Sequence, residues 1–284
     1  MKWCVSETEY CWIFKGVLEN ASLFLRKKEL FMEITWQMFL IVCPLAFLAG
    51  FVDSVAGGGG LISLPAYYLA GLPPVLAAGT NKLSACLGTL AASVRFVRGG
   101  WVQLTVAVLA ALGALPGSWL GTTVLQLIPE NVIRIMMIAA IPLVALVVLR
   151  KGKEMQGVCR IPARWFRAVS FLIGFVVGFY DGLVGPGTGT FLILLFTMLL
   201  GMEAVTASGT AKLVNLASNV ASMVTLLFAG KVLFGLGIPV ALFAIGGNYL
   251  GAGMTIRKGT GFIRGMLMVV LVLLLAKMVL DVVS

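Results

Sequence analysis

The chain is a succession of uncharged apolar runs punctuated by single charges. Residues 34–52 carry no charge, and Asp53 ends the run. Residues 54–81 end at Lys82, 83–94 at Arg95 and 99–129 at Glu130, while 135–149 follow Arg134. A basic stretch intervenes, with Arg150, Lys151, Lys153, Arg160, Arg164 and Arg167. The pattern resumes over 168–180, 182–202, 204–211, 213–230 and 232–256, separated by Asp181, Glu203, Lys212 and Lys231, and closes over 265–276. Spanning strands would alternate apolar and polar positions over about ten residues. These runs are apolar all round, so they read as helices. The pattern predicts an all-α polytopic membrane protein with about 8–10 transmembrane segments of roughly bilayer length.

The runs fall into two similar halves. Gly50, Phe51, Asp53, Gly57 and Gly59 match Gly178, Phe179, Asp181, Gly185 and Gly187 at a spacing of 128. The spacing then becomes 130, and Gly71, Val75, Ala77, Gly79, Thr80, Lys82 and Leu83 match Gly201, Val205, Ala207, Gly209, Thr210, Lys212 and Leu213. Gly100, Val102, Gly117, Leu120, Gly121 and Arg134 keep that register with Gly230, Val232, Gly247, Leu250, Gly251 and Arg264. Basic loops favour the cytoplasm. Loops 95–100 and 255–264 are basic, whereas their counterparts 225–231 and 123–131 are poor in Lys and Arg. Equivalent loops with opposite charge character predict an inverted repeat with an odd number of crossings per half. Five fit in the first half: roughly 34–52, 58–72, 75–95, 101–122 and 132–149. The second is short and follows a glycine run, which suggests a half-span.

The predicted layout is therefore a first membrane repeat over 32–150, a basic cytoplasmic linker over 151–167 and a second repeat over 168–284. Residues 1–31 form an amino-terminal extension of different composition. Met32 is an alternative start, which would place 1–31 outside the native chain. The extension does not read as a signal peptide, because Lys15, Glu19 and Asn20 break its apolar stretches.

Composition sharpens this picture. The chain is 60% hydrophobic and 11% charged, against about 25% charged in soluble domains. An ordinary soluble enzyme is excluded. The net charge of +10 fits cytoplasmic loops facing anionic lipid rather than nucleic acid. With no histidine in the chain, a His-based metal site or general base is impossible. The five cysteines form no metal or disulfide pattern, and Cys43 and Cys86 read as small hydrophobes. No cofactor motif is present. The 34 glycines are about 12% of the chain, against a usual 7%. Broken helices or close helix packing are implied. Gly113, Gly117, Gly121, Gly247 and Gly251 have the small-residue spacing of close packing.

Two constellations could carry chemistry. The first is GFVDSVAGGGGLISLP over 50–65 and its counterpart GFYDGLVGPGTGTFLIL over 178–194. Glycines this dense break a helix and free backbone amides, which attract anions at the start of the next helix. Gly57, Gly58, Gly59, Gly60, Gly185 and Gly187 are the candidate donors. A surface turn is the plainer reading. The second is GTNKL over 79–83 and GTAKL over 209–213. A lysine inside an apolar run is costly and usually serves a pathway or a partner. Lys82 and Lys212 would approach the midplane from opposite sides and form an anion site, with Thr80, Asn81, Thr210, Asn215 and Asn219 completing it. Alternatively, each lysine snorkels to an interface or pairs permanently with an aspartate. Asp53 and Asp181 are the carboxylates matched between the halves. They would orient the lysines, cap helices or carry protons for coupled transport.

Residues 50–83 and 178–213, containing these motifs, resemble the TauE/SafE sulfite exporter family of membrane transporters. The likeness runs from Met32 to the carboxyl end. It implies a multi-pass permease of the inner or plasma membrane, of a family associated with export of sulfite, sulfonates and related anions. The expected function is alternating-access export of a small sulfur-containing or other anion, with optional proton coupling. An anion channel and an importer are the alternatives. An integral-membrane enzyme and a membrane scaffold fit less well, since no loop domain could house chemistry and a scaffold needs no paired intramembrane charges. The implied partners are a small anionic substrate and the lipid bilayer, not nucleic acid, with homo-oligomerisation left open.

Overall fold

A computed structural model describes residues 34–133, 135, 136, 159 and 161–283, with side chains up to 269. Most of the expected fifth segment, most of the basic linker and the 1–31 extension lie outside the described residues. Those residues contain eight α-helices in full, the start of another helical stretch over 130–133 and 135–136, one 3₁₀ turn and no strand. In chain order the helices are α1 Trp36–Ala56, α2 Gly60–Leu69, α3 Pro74–Arg98 and α4 Leu104–Leu127. After the 3₁₀ turn Ala163–Trp165 come α5 Phe166–Leu183, α6 Thr188–Met198, α7 Ala204–Phe228 and α8 Phe234–Val283. The protein is an all-α, multi-pass membrane protein.

Helix lengths follow the local sequence. Five segments are long and apolar enough to cross a membrane by length and composition: Trp36–Ala56, Leu104–Leu127, Ala163–Leu183, Ala204–Phe228 and Phe234–Val269. Helix α3, with 25 residues, matches them in length but is more polar, with Asn81, Lys82, Arg95 and Arg98 along it. Helices α2 and α6 have 10 and 11 residues. At 1.5 Å per residue each covers about 15 Å, half the hydrocarbon thickness. The first of these is the half-span that the glycine run predicts. The run 34–52 extends four residues further as helix than its charge boundary suggests, because α1 continues through Asp53 to Ala56. Helix α8 bends at Gly259, whose φ of 70° interrupts its helical conformation.

Residues Trp36–Ser284 form one compact unit. Helix α4 packs along α5 and also against α7. Helix α8 packs reciprocally along α1 and against α3, while α3 and α7 meet each other. Small residues make the long contacts close. A Cβ at Gly113, Gly117 or Gly121 would run into the backbone carbonyls of Phe171, Phe175 or Phe179 on α5. One at Gly247 or Gly251 would meet those of Phe47 or Phe51 on α1. These are the glycines whose spacing predicts close packing.

The unit is apolar outside and polar inside. Leu40, Leu112, Trp119, Leu172 and Leu242 are exposed, as expected where the solvent is lipid. Helices α3 and α7 instead bury Thr80, Asn81, Lys82, Ser84, Thr210, Lys212, Asn215, Ser218, Asn219 and Ser222. This inversion puts the sequence's isolated charges in the interior.

Candidate functional site

Each half-helix is preceded by a glycine break that points its amino end inward. Gly57 follows α1 at φ 77°, and Gly185 follows α5 at φ 90°. Both values favour glycine, because a Cβ disfavours left-handed backbone. The two broken stretches touch. A Cβ on Gly57 would overlap the backbone of Gly189 and Thr190, and a Cβ on Gly189 would overlap Gly57. The Thr190 hydroxyl adds a 2.7 Å bond to the Ala56 carbonyl.

An aspartate sits in the last turn of the helix before each break. The carboxyl end of a helix disfavours anions and the amino end favours them. Each carboxylate reaches toward the start of the short helix. The Gly59 N–H approaches Asp53 Oδ1 at 3.4 Å. The Thr188 hydroxyl, on the first residue of α6, donates to Asp181 Oδ1 at 2.8 Å.

The lysines pair crosswise. Lys82 Nζ lies 2.6 Å from Asp181 Oδ2, and Lys212 Nζ lies 2.7 Å from Asp53 Oδ2. Lys82 also donates to Asn219 Oδ1 at 2.9 Å. The Asn219 amide is 3.5 Å from Asn215 Oδ1. All four charged groups are largely withdrawn from solvent. Such pairs hold only with good geometry and further hydrogen bonds, because desolvating both charges is costly.

A cavity opens beside these pairs. It is walled by Asp53, Gly57, Gly59, Gly60, Asn81, Lys82, Asp181, Gly185, Asn215 and Asn219 among the expected residues, and by Ser63, Ser84, Thr188 and Asn248 in addition. About 70 Å³ is open to the centres of water-sized molecules, where one water needs about 10–15 Å³ by that measure. A small anion fits.

Other expected residues stand elsewhere. Lys212 is fully buried and does not line the cavity. Gly58 and Gly187 lie in the breaks but are not on its wall. Thr80 and Thr210 are also away from it, and their hydroxyls accept the N–H groups of Leu233 and Gln103 at 3.1 and 3.0 Å. Beside them, a Cβ on Gly79 or Gly209 would collide with the carbonyl of Lys231 or Trp101. The Gly–Thr pair of each motif thus docks the loop that enters α8 or α4, and the lysine two residues on reaches the site. Glu130 and Glu203 are exposed.

Residues the sequence reading missed include Ser218, Thr188 and Asn248. Ser218 donates to Asp181 Oδ2 at 2.6 Å. Asn248 is a buried amide within the apolar run 232–256, and that isolation was its available signal. Among the described residues no group of three or more His, Cys, Asp or Glu side chains could hold a metal ion.

Comparison with known sequences says what kind of protein carries these paired charges. The family model described as Sulfite exporter TauE/SafE matches residues 42–278. The chain belongs to the TauE/SafE family. A Haemophilus influenzae protein named "Probable membrane transporter protein" is 37% identical over 253 residues, covering 88% of this chain and 98% of that protein. Escherichia coli YfcA, with the same description, is 33% identical over 258 residues, 87% of this chain and 94% of its own. The Sinorhizobium protein ORF9, likewise described, is 34% identical over 257 residues, 88% and 95% of the two chains. No solved structure matches. As a TauE/SafE protein the chain is a multi-pass membrane transporter.

Proposed function

We propose that this transporter moves a small anion, of the sulfite or sulfonate kind, outward by alternating access between two inverted repeats, 32–150 and 168–284. The observation that carries this reading is the crossed pair of buried Lys–Asp contacts beside a small polar cavity. Lys82 on the cavity wall supplies the positive charge, and Asn81, Asn215 and Asn219 supply amide groups. The amino ends of α2 and α6 add the positive ends of two helix dipoles. The reciprocal packing of α4 on α5 and α7, and of α8 on α1 and α3, supports a twofold relation between the repeats.

Charge counting adds proton coupling. Two lysines and two aspartates sum to zero, so an entering anion leaves the interior with a net negative charge. A proton taken up by one aspartate restores neutrality. Asp53 suits this role because it lines the cavity and its side chain is 15% exposed, against 3% for Asp181. Protonated Asp53 would release Lys212, which is fixed to it in this state.

The test is flux of sulfite and simple sulfonates in proteoliposomes, with the pH gradient varied. Saturable flux that an imposed proton gradient accelerates is expected, whereas a channel would conduct without saturation. Lys82→Ala and Lys212→Ala should each lower flux more than about tenfold, since removing a buried charged partner typically costs 2–5 kcal/mol. Undiminished flux in both variants, with folding intact, would remove the anion-site reading.

A further inference from the structure

Asn248 is held in one orientation. Its amide nitrogen donates to the Ala244 carbonyl at 3.0 Å. That nitrogen sits in a slot between α1 and α3, where a Cβ on Gly50 or Gly88 would press against it. Turning the amide over would set its oxygen against the Ala244 carbonyl oxygen, so the assignment is fixed by its neighbour. The oxygen Oδ1 is then the remaining polar atom. It is buried and has no hydrogen-bond partner among the described residues, on a residue that is 3% exposed and lines the cavity. Buried polar atoms are nearly always satisfied, so an orphaned acceptor on a cavity-lining residue asks for a donor.

A second amide supports this. Asn81, one residue before Lys82, lines the same cavity, and its side-chain amide makes no hydrogen bond among the described residues. The wall therefore offers a cation at Lys82, an unengaged amide at Asn81 and an acceptor at Asn248. An anion with acceptor oxygens alone would satisfy the first two and leave Asn248 unpaired.

We propose that Asn248 is a specificity-determining residue, and that the substrate is a small organic anion bearing an O–H or N–H donor as well as its anionic group. This rests on the anion-transport reading. A pocket that hydrogen-bonds a substrate group rejects analogues lacking it, because its own polar atom is then left unpaired.

The experiment compares 2-hydroxyethanesulfonate with ethanesulfonate, and glycolate with acetate, by binding to the detergent-purified full chain and by flux in proteoliposomes. In at least one pair, the hydroxylated anion should bind about tenfold tighter, the effect of one hydrogen bond. Asn248→Leu, which keeps the bulk and removes the acceptor, should bring that ratio close to one. Asn248→Ala, which removes the acceptor without adding apolar bulk, should do the same if the leucine variant fails to fold. Equal binding within both pairs by the unaltered protein overturns the proposal, as does a ratio that persists in the folded variants. Lys82→Ala separates the two readings. If it binds these anions as well as the unaltered protein does, or if the unaltered protein binds none of them, anion transport falls and this inference with it. If it loses them while the Asn248 ratio does not respond, this inference alone falls.

Discussion

The two Lys–Asp pairs come from matched motifs, but they are not equally held. Asp181 receives Lys82 Nζ at 2.6 Å, the Ser218 hydroxyl at 2.6 Å and the Thr188 hydroxyl at 2.8 Å. Asp53 receives Lys212 at 2.7 Å and a long approach from the Gly59 N–H at 3.4 Å. The difference lies in the register. Where α7 has Ser218, α3 has Gly88, and where α6 begins with Thr188, α2 begins with Gly60. Two hydroxyls present at one pair are glycines at the other. Charge-assisted hydrogen bonds are the stronger ones, so the Asp181 pair is the more heavily bonded of the two.

The largest effect should come from breaking the more heavily bonded pair. Asp181→Ala leaves Lys82 buried without its carboxylate, while the two hydroxyls keep only the carbonyls of Asn215 and Gly185 as acceptors. Removing one partner of a buried ion pair costs about 3–5 kcal/mol. Asp53→Ala should cost less, because fewer donors lose a partner and the site is more open. Thermal unfolding of both variants in one detergent measures the gap. Equal losses would erase the distinction between the pairs. The double variant Lys82→Met, Asp181→Leu sharpens it, since apolar replacement of a whole buried pair is often neutral for stability. It should refold well and transport nothing.

Both pairs could be anticipated only in part. Four charges stranded in apolar runs, repeated at spacings of 128 and 130, marked the candidate residues. Their crossed pairing could not be read, because it depends on α3 meeting α7 in the folded unit. Thr80 and Thr210 were expected beside the substrate and instead hold loops. The helix explains this. Residues two apart lie about 200° around the axis, so Thr80 and Lys82 face opposite ways. Conversely, Asn215 and Asn219 are three and seven residues past Lys212, spacings that share a helix face, and both reach the cavity. Asn248 escaped notice because its counterpart in the register is Ser118, so it carries no repeated signal. The repeat exposes what the halves share, whereas the asymmetry of the site lies in what they do not.

An intermediate effect tests the register directly. Ser218→Ala removes one hydroxyl from Asp181 and makes α7 resemble α3 at that position. Losing a hydrogen bond to a charged group should cost about 1.5–3 kcal/mol. It should also bring the stability of the Asp181 pair toward that of the Asp53 pair, so that Asp181→Ala costs less in the Ser218→Ala background than alone. Additive losses would show that the hydroxyl stabilises the helix contact rather than the carboxylate. Ser218 also bonds the Asn215 carbonyl at 3.2 Å, so the coupling term of the double-mutant cycle, not the single loss, is decisive.

The smallest effect should fall on features the halves share. Thr80 and Thr210 accept the N–H groups of Leu233 and Gln103 in the same way, each at the loop residue immediately before α8 or α4. Valine keeps the shape and leaves each N–H without its acceptor, at a cost of about 1–3 kcal/mol. Because these contacts match, Thr80→Val and Thr210→Val should destabilise by amounts equal within about 0.5 kcal/mol, the tolerance to which independent sites add. Neither should change the preference between anions, since neither threonine lines the cavity. If only one of the two variants is unstable, the asymmetry reaches beyond the ion pairs into the scaffold. Equal losses would confine it to the few side chains around Asp53 and Asp181, where a heavily and a sparsely bonded contact coexist on otherwise similar supports.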